Sequence, residues 1–325
     1  MRTKIEISYK TIVFTVIFLL FLWLLNQVRE IIFWIFIGFI LMTAFKPWAD
    51  YFEKWRIPRP LSVLVIYILF LGIIAYIATA VLPPLITQSA HLIQSLPAYI
   101  KSVLPFIQID VQTLTQQIAP LGENIFKVTI GVFSNIIALF TIFMISFYMI
   151  IERKYLESHL ADFLGAEGAR QIVIIIKKIE EKLGAWVRGQ LLLAFAIGLF
   201  TFIGLTILGI PFTLPLSILA GILEIVPFIG PIISAIPAIL VALTFSPLLA
   251  LTTAAAYFVI QQLEAHIVVP LVMKKAVGIP PLMTIISLMI GAKLAGISGA
   301  LLAIPVVLVI ETIIVEYTRL KKVGE

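Results

Sequence analysis

"LEIVPFIGPIISAIP", residues 223–237, lies inside a long apolar tract yet holds three prolines, one glycine and one carboxylate. A tract this apolar suits a membrane-crossing helix. Pro227, Gly230 and Pro231 nevertheless fall within five residues, and each disfavours a continuing helix. Glu224 stands three residues before the break. A charge at the centre of a bilayer costs about 2.5–3.5 kcal/mol on insertion scales, so such a residue faces a cavity or a partner. Broken backbone at membrane depth is likewise tolerated only where protein or water surrounds it. The stretch therefore reads as the turn of a helical hairpin that dips into the membrane and carries an acid near its tip.

The rest of the chain supports that reading. Of the 325 residues, 62% are hydrophobic and 12% charged, with mean hydropathy +1.15. Soluble domains have about 45–50% apolar and about 25% charged residues. Several apolar runs approach the ~20 residues a transmembrane helix needs, and none shows the alternation of a membrane β-strand. The fold class is an all-α polytopic membrane protein with about eight crossing or re-entrant helical elements, to allow for the edges of each apolar run. The absence of cysteine removes disulfides, thiolate metal sites and cysteine nucleophiles. The first apolar run continues into a second and lacks a small-residue cleavage site, so it reads as a retained helix.

Five regions follow. Residues 1–82 hold N-terminal transmembrane helices, and 83–127 form an extracytoplasmic amphipathic segment. Residues 128–151 span again, and 152–189 are a charged segment on the cytoplasmic side, in which "QIVIIIKKIEEKL" (171–183) reads as an amphipathic surface helix. Residues 190–325 are the C-terminal core. With the N-terminus in the cytoplasm, 19 of the 23 lysines and arginines fall on the cytoplasmic side, leaving Arg29, Lys101, Lys127 and Lys293 elsewhere. By the positive-inside rule this orients a multi-pass protein of the plasma or inner membrane with both termini cytoplasmic. It also explains the formal charge of +6 without a nucleic acid partner.

Residues 211–244 number 34, short of the roughly 40 that two full spans and a turn require. Two shortened helices fit. Residues 209–240 and 278–308 also share an outline: each opens Gly-Ile-Pro, breaks at mid-run glycines, and closes Ala-Ile-Pro. The charge count starts the first hairpin outside and the second inside. Inverted, discontinuous hairpins are how many secondary transporters build a midplane site.

The residues that carry a family likeness are "GQLL" at 189–192, "VPFIGPIISAIPAIL" at 226–240, "QQLEAHIVVPLVMKKAVGIPPL" at 261–282, and the spaced glycines of 291–305. In these the C-terminal half resembles the AI-2E (autoinducer-2 exporter) family of permease-like membrane proteins, while the N-terminal half matches it in topology alone. Two departures stand out: Ile279–Pro280 where the family usually has Leu-His, and Lys293 where it generally has a small or apolar residue. The resemblance implies transport of a small polar solute such as autoinducer-2, with sodium or protons as coupling ions. Sodium/proton antiport and an oligomeric channel-like protein are the alternatives. It also implies a homo-oligomer, with a pentamer as the first expectation.

The candidates for the solute or ion path are Gln190, Glu224, Pro227, Phe228, Gly230, Pro231, Gln261, Gln262, Glu264, Lys293 and Gly296. Glu224 and Lys293 each stand three residues before a hairpin break or its glycine, so they either meet at corresponding tips or reach separately for the nearer surface. Helical spacing puts Gln261 and Glu264 on one face and Gln262 about 100° away. That polar run either lines a path or ends a helix at the interface, and the resemblance favours the path. His266 reads as interfacial, and Glu311 and Glu316 as part of the cytoplasmic exit. Neither a zinc-type H-E-x-x-H nor a phosphate-binding G-x-x-x-x-G-K-[ST] occurs, so neither an enzyme nor an ATPase is expected, nor any cofactor or metal.

This orientation is directly testable because the chain has no cysteine of its own. Single cysteines replacing Lys101, Lys127 and Thr213 should react with an impermeant thiol reagent from outside, and those replacing Arg59, Lys178 and Lys275 should not. External labelling at 275 would overturn the inverted arrangement of the two hairpins.

Overall fold

The computed structural model describes residues 9–73, 75–76, 79, 136–227, 229–273 and 280–323, and the regular structure among them is entirely helical. The expected segment 83–127 and the opening of the 128–151 span lie outside the described residues. The helices are α1 (Tyr9–Gln27), α2 (Arg29–Glu53), α3 (Arg59–Ile73), α4 (Ile136–Glu152), α5 (Leu156–Ile207), α6 (Thr213–Leu223), α7 (Ile229–Leu243), α8 (Pro247–Leu263), α9 (Val269–Met273) and α10 (Pro281–Val323). Four stretches are long and apolar enough to cross a membrane: Arg29–Glu53, Ile137–Ile207, Pro247–Met273 and Ser298–Leu320. Shorter apolar helices accompany them, including α3, α6 and α7. The protein is a multi-pass helical membrane protein.

The axis of the fold is α5. It bends at Gly165, whose φ of 73° is open to glycine at little cost. From there it runs to Ile207 without another break, about 60 Å at 1.5 Å per residue. That is twice the thickness of the hydrocarbon core. The expected surface helix 171–183 is therefore the upper part of the same helix that becomes the 190–207 span. The reason is visible in its packing. Ile179, Leu183 and Trp186 form one buried cluster with Ile304 and Leu308 of α10, so protein rather than lipid covers their apolar face.

Where α5 ends, Gly209 (φ 67°) turns the chain. Ile210 N–H reaches back to the Leu205 carbonyl at 3.0 Å, and both side chains sit in one buried cluster. This is the Schellman geometry, with Pro211 next to prevent the helix from resuming. The first hairpin follows. Its limbs are α6 and α7, of 11 and 15 residues, and α6 packs closely along α5. After it, Ser246 accepts from Leu249 N–H at 3.0 Å and Pro247 takes the first helical position, which fixes the start of α8. Pro270 lacks an N–H for the His266 carbonyl one turn back, and the helix widens to a π-turn over Glu264–Val268 just before it.

The second hairpin lies within α10. Ala295 and Gly296 leave helical backbone there, Gly296 at φ 61°. Its limbs cross so tightly that a Cβ on Gly291 or Gly299 would collide with the other's carbonyl. The Ala-Ile-Pro endings of the two repeats occupy matching places, Pro237 and Pro305 each lying inside the second limb of its hairpin. The hairpins are unequal, however, because the second limb of the second one is a full span.

The buried apolar residues form separate clusters. Met42, Val63, Ile66, Tyr67 and Ile150 join α2, α3 and α4. Leu205, Leu216, Val241 and Tyr257 join the end of α5, the first hairpin and α8. Backbone contact seals the α5–α6 seam: a Cβ on Gly221 would stand 2.7 Å from the Ala194 carbonyl oxygen, and one on Gly198 3.3 Å from that of Ser217. Gly221→Leu should force the two helices apart and cost about 1–3 kcal/mol, read as a lowered Tm in detergent. Gly72→Ala is the control: its Cβ meets nothing within 4 Å, and a helical alanine should stabilise by about 0.5–1 kcal/mol.

Candidate functional site

Three helices converge on the break of the first hairpin. At the C-terminal end of α6, Glu224 is only 1% exposed. Its backbone carbonyl accepts a hydrogen bond of 2.7 Å from the side-chain amide of Gln190, itself buried on α5. Such a partner is needed because an α-helix leaves its last carbonyls unpaired. From α8, Gln261 donates to Glu264 Oε2 at 2.8 Å. The Glu264 carboxyl and that of Glu224 lie within hydrogen-bonding reach of one another. Glu224 Oε2 is buried and meets no N–H or hydroxyl donor among the described residues. A buried carboxyl oxygen without a donor is costly unless a proton shared with the second carboxyl, or something transient, satisfies it.

The structure thus brings Gln190, Glu224, Gln261 and Glu264 together, three helices supplying four polar side chains to one buried place. Gln262 is not among them: its side chain is exposed and its carbonyl lies 3.0 Å from His266 Nδ1. Pro227 and Pro231 flank the turn, half-buried, and Phe228 lies outside the described residues. Lys293 sits on the first limb of the second hairpin with its side chain exposed and makes no ion pair among the described residues. Glu224 therefore faces a second carboxyl, not a lysine. The two hairpin tips do not meet through these residues because α8, which carries Glu264, lies against the first one. Gly296 marks the break of the second hairpin, and a Cβ there would meet nothing within 4 Å.

Gly230 has a different reason from the one its sequence suggests. Its φ is not in the left-handed region, so conformational freedom is not what it supplies. A Cβ there would collide with the carbonyl of Leu223 across the hairpin, so glycine is required by close approach. Two residues that sequence reasoning passed over complete the buried face of α8. Thr253 and Tyr257 are buried on the face that continues to Gln261 and Glu264, and Tyr257 OH donates to the Ser234 carbonyl of α7 at 3.3 Å. The spacing 253, 257, 261, 264 is helical, and extending the face backward from Gln261 finds both.

A helical membrane protein with two broken hairpins, and a buried polar site at the turn of one, has the construction of a permease. The sequence pattern of the AI-2E family transporters runs over residues 12–319, and the chain belongs to that family. It is 33% identical over 311 residues to the candidate transport protein YueF of Bacillus subtilis, covering 88% of this chain and 84% of YueF. It is 26% identical over 306 residues to a second such Bacillus subtilis protein, YrrI, covering 88% and 85%. The AI-2 transport protein TqsA of Escherichia coli is 24% identical over 306 residues, covering 87% of this chain and 85% of TqsA. The family pattern covers the N-terminal half as well, beyond the C-terminal elements that carry the resemblance in sequence.

Gly230→Val tests the hairpin turn. The added side chain must displace the Leu223 carbonyl and with it the adjoining Glu224. The variant should insert in the membrane, lose solute flux, and melt at a lower temperature, the overpacking costing about 1–3 kcal/mol. Wild-type flux in a correctly inserted Gly230→Val protein would show that the break is incidental.

Proposed function

We propose that this protein is a permease that moves a small polar solute across the membrane through the site at the first hairpin. The observation that carries the reading is the buried Glu224–Glu264 pair with its unpartnered oxygen, set beside broken backbone. Two carboxyls in contact in a buried site do not both ionise without compensation. The pair is therefore suited to hold a proton, a cation, or the hydroxyl or amine of a solute, and to exchange one for another. Gln190 and Gln261 each give one amide N–H to the protein, which fixes the two carboxyl-bearing segments, and each keeps a second N–H for a solute. Autoinducer-2, the solute for which TqsA is named, is the first candidate. The excess of lysine and arginine on one side supports a topology with both termini in the cytoplasm.

Sodium/proton exchange is the second reading, favoured by the same feature: sodium and a proton competing for one carboxyl pair, each leaving as the other binds, need no further chemistry. Purified protein in liposomes separates the two. Under the first reading, autoinducer-2 accumulates or leaves with its own gradient, whereas under the second, an imposed sodium gradient moves protons with no solute present.

Glu224→Gln and Glu264→Gln should each lower flux by about a hundredfold or more, a typical loss when a positioned acid–base group is removed. Neither should reduce stability, because an amide relieves two facing carboxyls and can donate between them, so Tm should stay within ~3 °C of wild type. Adding Lys293→Met to Glu224→Gln should change neither result. Full flux in both single variants would remove the carboxyl pair from the path.

A further inference from the structure

A second buried charge cluster stands apart from the proposed path. Glu180, on the upper part of α5, has a side chain only 4% exposed. Lys46 of α2 donates to its Oε2 at 2.5 Å, and Arg153, in the turn after α4, donates to its Oε1. The cations are themselves largely covered. One turn along the same seam, Gly184 of α5 lies against the Thr43 carbonyl of α2, to which Arg188 Nη1 donates at 3.4 Å. Charge and main chain thus join α5 to α2 and α4 at this end.

The contrast with α5's other partners is what gives the cluster meaning. Along its lower half α5 meets the first hairpin through glycine–backbone contact and buried aliphatic packing. The α5–α2 seam has a glycine–backbone approach of its own at Gly184, and Phe39 of α2 packs on the α5–α10 cluster, but it adds three charges where α6 carries none. A seam that carries charges can open where water reaches them, because hydration replaces what the ion pair supplied. Ten residues separate Glu180 from Gln190, which holds the Glu224 carbonyl, so a rigid helix connects the cluster to the site.

We propose that Lys46, Glu180 and Arg153 form an ionic clamp that holds α5 against α2 and α4 in the state with Glu224 buried, and that the clamp opens and recloses as the site becomes accessible. Its place in a transport cycle rests on the permease reading, but its existence as a two-state contact does not.

The test uses a readout that needs no known solute: the rate at which a single cysteine replacing Ile225, beside Glu224, reacts with a thiol reagent. The variant Lys46→Met, Glu180→Leu, Arg153→Met removes all three charges together and leaves none uncompensated. It should lower that rate by about tenfold, the effect of shifting a two-state equilibrium by one decade, because an apolar seam gains nothing from water on opening. In a second protein that keeps the three charges, Thr43→Cys and Arg188→Cys are joined by a short bis-thiosulfonate. The link should lower labelling at a cysteine in position 225 by about the same factor, stop flux, and release both on reduction. If labelling is unchanged by the link, the clamp does not open and the proposal is wrong. The linked protein also decides the matter should the triple variant fail to fold. Wild-type liposomes that move neither autoinducer-2, sodium nor protons would defeat the permease reading, while the labelling contrast still judges the clamp.

Discussion

Every main-chain N–H and C=O within hydrocarbon must be paired inside the protein, and that constraint shapes this molecule more than any other. An unbroken helix satisfies it by itself. This chain breaks at Glu224–Pro227, widens at Glu264–Val268, and breaks again at Ala295–Gly296, so it must supply partners from elsewhere. At the first break the answer is explicit. Val226 N–H turns to the Leu223 carbonyl at 3.0 Å, Gly230 N–H to that of Val226 at 2.9 Å, and Gln190 takes the carbonyl of Glu224. The close approaches at Gly221, Gly230 and Gly291 serve the same end, since backbone groups can neighbour one another only where no Cβ intervenes. The polar site is what this arrangement leaves over: side chains brought to the break to satisfy it, and one carboxyl oxygen left open.

Much of this is legible in the residues. Three prolines and a glycine in 223–237 disclose the hairpin, because helix breakers in an apolar run have few other uses. Glu224 and Glu264 announce themselves as acids in apolar tracts. What the sequence does not disclose is who faces whom. Glu224 and Lys293 have opposite charges and similar distances from a break, which argues for a pair by symmetry. The structure sets Glu224 against Glu264 instead, because α8 packs on the first hairpin. The burial of Glu180 was equally hidden. In "KKIEEKL" nothing distinguishes Glu180 from Glu181, yet one is locked between two cations and the other pairs with Lys178 on an exposed face. One position along a helix turns a side chain by 100°, and only the neighbouring helices decide which of two adjacent acids is enclosed.

The two charge clusters differ in kind, and the difference follows from the count of charges. Around Glu180 one anion meets two cations, so every oxygen has a donor and the fully assembled cluster is its resting condition. Around Glu224 two acids meet two amides, and one amide is directed at main chain, so donors are too few. The first cluster is complete in itself and the second is short of a donor. α5 passes through both, so one rigid element joins them.

The brevity of the first hairpin has an electrical meaning. Its first limb, α6, has 11 residues and is about 16 Å long, roughly half the depth of a hydrocarbon core. A charge carried across the whole membrane exchanges about 2.3 kcal/mol with every 100 mV of potential, and the length of this limb sets how much of that fall would lie on each side of Glu224.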